Sequence, residues 1–350
     1  MEEEIIVSPV ERPGIKLPGT FDAGILYSVI AIYYTYLSGR ILAFGLPESL
    51  NILLPELLFI ALPPLALAYL RHYDIKKTFR FKVPRPMEVV VVLIMSPVMV
   101  IAGACAGFAA LLAIKSTFGS VNLASGAGEV MTGGLGLALL IIAVVPAVCE
   151  EILFRGMIQR GLEGLGAGWS VLLSGVLFGL FHFDFQRLAA QTLIGIVAAY
   201  VVYRTGSIIN GMLLHFANNG LLTLLANLTT GAAQGGGGEM EIITDPFETP
   251  EFLELAAQNG MSLEQLLGIV SIVLLVIMVF CLFVVFGLCI ILKGITEKTL
   301  EKPQRKAGSF KGLLTGLPGL ILIGIVYTAI GLSLVGSDWG ERLLRIIGIG

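Results

Sequence analysis

The chain has 350 residues, 56% of them hydrophobic and 13% charged, with a net charge of -3. The charged share is about half of the roughly 25% usual in soluble domains, which excludes an ordinary soluble fold and points to a polytopic membrane protein. Basic residues fall in short clusters between apolar runs and form no basic domain, so they bear on topology and give no sign of a nucleic-acid partner.

Several apolar stretches approach or exceed the ~20 residues that cross hydrocarbon as a helix, and the alternation of barrel strands is missing. Backbone in lipid must satisfy its own hydrogen bonds. The expected fold is therefore all-α, a polytopic transmembrane helix bundle of about nine spans, with eight to ten compatible with the pattern.

The N-terminus, MEEEIIVSPVERPGIKLPG, is acidic and has no apolar h-region, so no cleavable signal is expected. Spans are expected at about 21–44 and 50–70, the second broken by Pro55 and by Pro63 and Pro64. The loop from Arg71 to Arg85 carries six Lys or Arg against Asp74 alone, and the positive-inside rule makes it cytoplasmic. A third span, about 87–114, leads to a Gly/Ser-rich loop. The fourth starts near Leu135 and runs through Glu150, Glu151 and Arg155 to Gly161, Gly164, Gly166 and Gly168, which mark a turn. Spans five to seven follow at about 169–183, 188–203 and 208–228.

From Thr229 to Gln265 the composition changes to four consecutive glycines, Gly235 to Gly238, and then acids from Glu239 to Glu254 without one Lys or Arg. This reads as a flexible acidic loop on the non-cytoplasmic face, with a short helix near 250–259. An eighth span, about 266–292, returns to a basic cluster from Lys293 to Lys311. A ninth, about 313–335, ends in an amphipathic tail with Arg342 and Arg345. The expected division is a cytoplasmic N-terminal segment over 1–20, a transmembrane catalytic bundle over 21–228, the acidic loop over 229–265, and a C-terminal transmembrane pair and tail over 266–350. The N-terminus is then cytoplasmic and the C-terminus outside. No internal repeat is visible, which counts against inverted-repeat transporters. Cys105, Cys149, Cys281 and Cys289 sit singly in apolar segments and read as packing residues.

Chemistry concentrates between Pro146 and Asn219, where PAVCEEILFRG, FGLFHFD and GMLLHFANN plant ionisable groups in apolar segments. Such groups cost about 2.5–3.5 kcal/mol each at a span centre on insertion scales and usually face a bundle interior. Glu151 and Arg155 stand four apart in the favourable sense for a helical ion pair. Glu150 lies about 100° round the helix, which leaves it a partly desolvated carboxylate suited to a general base. Read alone, EExxxR fits a snorkelling cluster at a helix end better. His182, in FxxxH with Phe178, changes the balance. Glu150 lies 16 residues before Gly166 and His182 lies 16 after, so in a helical hairpin the two face each other and can hold a water for attack on a carbonyl. His215 and Asn219, four apart, offer N–H donors on one face for an oxyanion, although such residues also serve as plain interhelical hydrogen bonds. His72, in the basic loop, reads as a bystander.

Zinc held by Glu150, His182 and His215 is the weaker alternative, because neither HExxH nor a Cys/His pair at metal spacing occurs; no cofactor is expected. Cys149 shows no mark of an activated nucleophile.

EExxxR, FxxxH and HxxxN in this order, on successive membrane segments, resemble the CPBP (ABI) family: CAAX prenyl endopeptidases of the Ras-converting type with their bacteriocin-processing and immunity relatives. The resemblance covers about 147–228. It implies a glutamic-type intramembrane endopeptidase with an eight-helix-like core. Glu150 and His182 would activate the water, His215 and Asn219 would form the oxyanion hole, and Glu151 and Arg155 would give structural support. The implied partners are membrane lipids and a peptide or protein substrate of CAAX-like, lipid-modified or other membrane-associated kind. Two other functions are compatible with the same residues: a non-enzymatic immunity or scaffold protein, and a transporter using the carboxylates as a proton relay.

Overall fold

In a computed structural model of the chain, which describes residues 16–347 apart from 43, 122–129, 131–132, 235–246, 248, 301–305 and 307, every regular element is a helix. We number the continuous helices α1 Thr20–Leu42, α2 Glu48–Leu70, α3 Pro86–Phe118, α4 Leu135–Leu165, α5 Ala167–Leu180 and α6 Leu188–Thr205. They continue as α7 Ile208–Gln234, α8 Pro250–Gln258, α9 Leu263–Thr296, α10 Ser309–Leu334 and α11 Asp338–Ile347.

Each of the nine expected spans corresponds to a helix, and among the described residues seven of these are long and apolar enough to cross a membrane. The two others differ for physical reasons. α5 has 14 residues, only about 21 Å at 1.5 Å per residue against a hydrocarbon core of about 30 Å. α1 has 23 residues, but Asp22 and its tyrosines dilute its apolar character.

Three helical stretches widen to π geometry: Glu56–Ala61 within α2, and Leu139–Val144 and Ile152–Ile158 within α4. The first follows Pro55 and the second ends just before Pro146. Proline removes the N–H that an α-helical turn needs, and a wider turn can absorb the mismatch. The prolines of α2 thus do not interrupt the span; it continues to Leu70.

α4 is the central element, packed among α1, α2, α5 and α7. Its buried face, with Leu153, Phe154 and Met157, meets Tyr27 and Ile30 of α1 and Phe178 of α5. A second core joins α3, α6, α7 and α9 through Val92, Met95, Met99, Val201, Leu214 and Leu292. α5 and α6 pack closely along their length. Glycines make this approach possible. A Cβ on Gly195 of α6 would lie 2.8 Å from the carbonyl oxygen of Gly175 on α5, closer than real Cβ contacts allow.

Of the expected acidic loop, residues 235–246 and 248 lie outside the described residues, and its two ends are helical, in α7 to Gln234 and in α9 from Leu263. Its helix is present as α8, and Phe247 is buried edge-to-face on Phe108 of α3 at 5.2 Å, so the end of the loop is tied to the bundle. The C-terminal tail is the amphipathic helix α11, with Trp339 exposed.

The crossing of α5 and α6 gives a stability prediction. Gly195→Ala should destabilise the protein by about 1–3 kcal/mol, the usual cost of overpacking. Gly268→Ala on α9, where a Cβ meets nothing within 4 Å, should be neutral or slightly stabilising. Thermal unfolding in detergent measures both.

Candidate active site

Arg155 is the electrostatic centre of the site. It is 1% exposed and sits on the π segment of α4, where all residues from Ile152 to Ile158 are buried. Its guanidinium donates to Glu151 Oε1 at 2.6 Å and to the carbonyl of Gly195 at 3.0 Å, and it lies 4.5 Å from the centre of the Phe178 ring. One side chain therefore joins α4, α5 and α6. One turn further on, Gln159 repeats the link to α6 by donating to the carbonyl of Ala199 at 2.8 Å.

Glu151 is fully buried and shares the same oxygen with His215 Nδ1 at 3.2 Å. A carboxylate oxygen only accepts, so Nδ1 carries the proton and the ring is held with Nε2 pointing away from Glu151. That Nε2 lies 3.8 Å from Glu150 Oε2. The distance is too long for a hydrogen bond, yet it lets a single water reach both atoms. Gly211 of α7 permits the arrangement, because a Cβ there would lie 2.6 Å from Glu151 Oε2.

Phe178 stands between the two histidines, its ring 4.9 Å from that of His182 and 5.7 Å from that of His215, both edge-to-face. Its carbonyl receives His182 Nδ1 at 2.9 Å. His182 is therefore held as an Nδ1–H imidazole with Nε2 free to accept. The FxxxH spacing has a local cause: both partners of this bond belong to the last turn of α5 and the turn that follows. Phe183, with φ 51°, then leaves the helix in left-handed geometry, braced by stacking on Tyr34 at 5.9 Å.

Asn219 donates through Nδ2 to the carbonyl of Ile142 at 3.2 Å and accepts from Asn218 Nδ2 at 3.2 Å. The two contacts fix which end of the amide is which, and one Nδ2–H stays uncommitted by them. Ile142 is available as an acceptor because the residue four further on is Pro146, which has no N–H to return.

The six residues singled out from the sequence thus lie on α4, on α7 and in the turn just past α5. No hydrogen bond or ion pair joins Glu150 to His182; the imidazole in contact with Glu150 is that of His215. Equal counting from Gly166 assumed regular α-helix on both arms. In the structure one arm contains a π segment and a final 3₁₀ turn, Glu163–Leu165, while the other ends at Leu180, two residues before His182.

Glu56 was not legible from motif spacing. It opens the π segment of α2, which packs on the stretch of α4 that carries Glu150. Its Oε2, like Glu150 Oε2, is buried with no protein hydrogen-bond partner. The signal that could have found it is a lone acid in the apolar run NILLPELLFIALPP. Among the described residues no group of three His, Cys, Asp or Glu side chains is disposed to hold a metal ion. Cys149 is buried against the first core and His72 lies in the loop after α2, both apart from the contacts above.

Residues 132–221, 90 of the 350, match the family model described as type II CAAX prenyl endopeptidase Rce1-like. No curated protein and no solved structure matches the chain. The matched stretch contains Glu150, Glu151, Arg155, His182, His215 and Asn219. The match supports the CAAX-protease-like family for this part of the chain, the same family that its three motifs resemble.

Proposed function

We propose that the chain is an intramembrane endopeptidase in which Glu150, with His182, activates a water and His215 and Asn219 stabilise the oxyanion. The substrate proposed is a membrane-associated peptide of the CAAX-like kind named in the family description. The N-terminus is proposed to be cytoplasmic. The observation that carries this reading is the Glu150 carboxylate, buried with Oε2 free of protein partners and facing a histidine that a second, neutralised carboxylate holds in place.

In this reading Glu150 takes a proton from the water as its oxygen attacks the scissile carbonyl. The new C–O bond places negative charge on the former carbonyl oxygen, and the donors for it are the free Nδ2–H of Asn219 and His215 as an imidazolium, with its second proton on Nε2. Collapse breaks the C–N bond, and the proton held by Glu150 passes to the leaving amine, with His182 Nε2 as the acceptor that relays it. Arg155 and Glu151 touch no reacting atom. Their part is to hold His215 and the α4–α6 contact.

Three outcomes test this division. Glu150→Gln should lower peptide cleavage by the purified protein at least about 10²-fold while its unfolding temperature stays near wild type. Full cleavage by that variant sinks the proposal. Glu151→Gln should act differently, through stability, since it leaves the Arg155 charge buried without its partner, a loss of about 3–5 kcal/mol. A differential scanning measurement separates the two variants before any assay. Chelators should leave cleavage unchanged, and loss of activity restored by added zinc would point to the metal reading instead.

A further inference from the structure

At the end of the bundle where the basic loops gather, the turn around Ile75–Thr78, α4, α6 and the chain beyond α9 enclose a cavity of about 400 Å³. Six cations line it: Lys76, Lys77, Arg80, Lys82, Arg160 and Arg204. Among the described residues two carboxylates pair with the arginines. Glu163 serves both Arg80 and Arg160, the latter at 2.6 Å, and Glu297 accepts from Arg204 at 3.0 Å.

The lysines stand apart from these pairs. Among the described residues no carboxylate pairs with Lys76, Lys77 or Lys82, and Lys82 Nζ reaches only the carbonyl of Thr205, at 3.2 Å. The neighbouring acid, Asp74, is engaged as the cap of the turn through the Lys77 N–H at 2.9 Å. The positive-inside rule accounts for basic loops. It does not account for a cavity in which Arg80 and Arg204 are buried and held by ion pairs while three lysines line it beside them.

The depth of the cavity limits the ligand. It lies where α6 ends, at Thr205, and just past the last turn of α9, beside Thr299. For helices that span a bilayer this is the level of the headgroups. Basic pockets between spanning helices at this level suit anionic headgroups, and each nearby Lys or Arg contributes about 1 kcal/mol.

We infer that this cavity binds a phosphate-bearing anion, and that in the membrane the phosphate is that of an anionic phospholipid headgroup. The arginines fix the site and the lysines supply the attraction. It is separate from the catalytic residues: Arg160 is ten residues beyond Glu150 on the same helix, about 15 Å along it.

The test uses the full chain purified in detergent, with dihexanoyl phosphatidylglycerol, dihexanoyl phosphatidylcholine and inorganic phosphate as probes. Phosphatidylglycerol should bind and raise the unfolding temperature, and phosphatidylcholine should not. The double variant Lys76→Gln, Lys77→Gln, altered only at exposed positions, should bind phosphatidylglycerol about thirty-fold more weakly. Lys306→Gln with Lys311→Gln, outside the cavity, should leave binding unchanged. Equal response to both lipids, or equal weakening by both double variants, overturns the proposal. If inorganic phosphate alone reproduces the shift and the lipid adds nothing, the site is one for free phosphate and the lipid assignment is overturned.

Discussion

A guanidinium removed from water is costly unless its charge and its donors are met, and the centre of this protein is organised by meeting that requirement at Arg155. Glu151 supplies the charge, Gly195 a carbonyl and Phe178 an aromatic face. Because these partners belong to three helices, satisfying one side chain fixes the relation of α4, α5 and α6. Breaking such a pair on one side is far more damaging than never having it. The polar cluster is therefore a structural frame as well as a chemical one.

The frame separates the two adjacent acids. Glu151 has its charge neutralised by Arg155 and spends the same oxygen on orienting His215. Among the described residues Glu150 has no arginine or lysine in contact, and its Oε2 has no protein hydrogen-bond partner. Two identical side chains in sequence thus occupy different electrostatic surroundings because successive helical positions differ by about 100°. The same logic applies to the histidines. Each has Nδ1 committed, to a carboxylate in one case and to a backbone carbonyl in the other, and each keeps Nε2 for the site.

Much of this is legible in the sequence, for identifiable reasons. The helices could be located because each needs a long apolar run, and the Glu151–Arg155 pair because a spacing of four on a helix is a contact. What escapes is what depends on departures from regular geometry. The distance between Glu150 and His182 could not be counted, since a π segment and a 3₁₀ turn alter one arm of the hairpin and the other stops early. Glu56 escapes because no local spacing ties it to the motifs; only the packing of α2 on α4 brings it near Glu150. The partner of Asn219 lies 77 residues away in the chain, yet half of that contact was readable, because Pro146 leaves the carbonyl of Ile142 without its usual donor.

The widened turns of α4 carry a consequence for how the helix is phased. Glu150 and Glu151 lie between two of them, Leu139–Val144 and Ile152–Ile158. A π turn holds one residue more than the α-helical turn it replaces, so closing either one to α geometry would rotate everything on its far side by about 100°. The acids are thus set between two phase shifts, one that aims them relative to the start of the span and one that aims Arg155 relative to them. Helix α4 works less as a rigid rod than as three rods with fixed offsets, and its chemistry is written in those offsets.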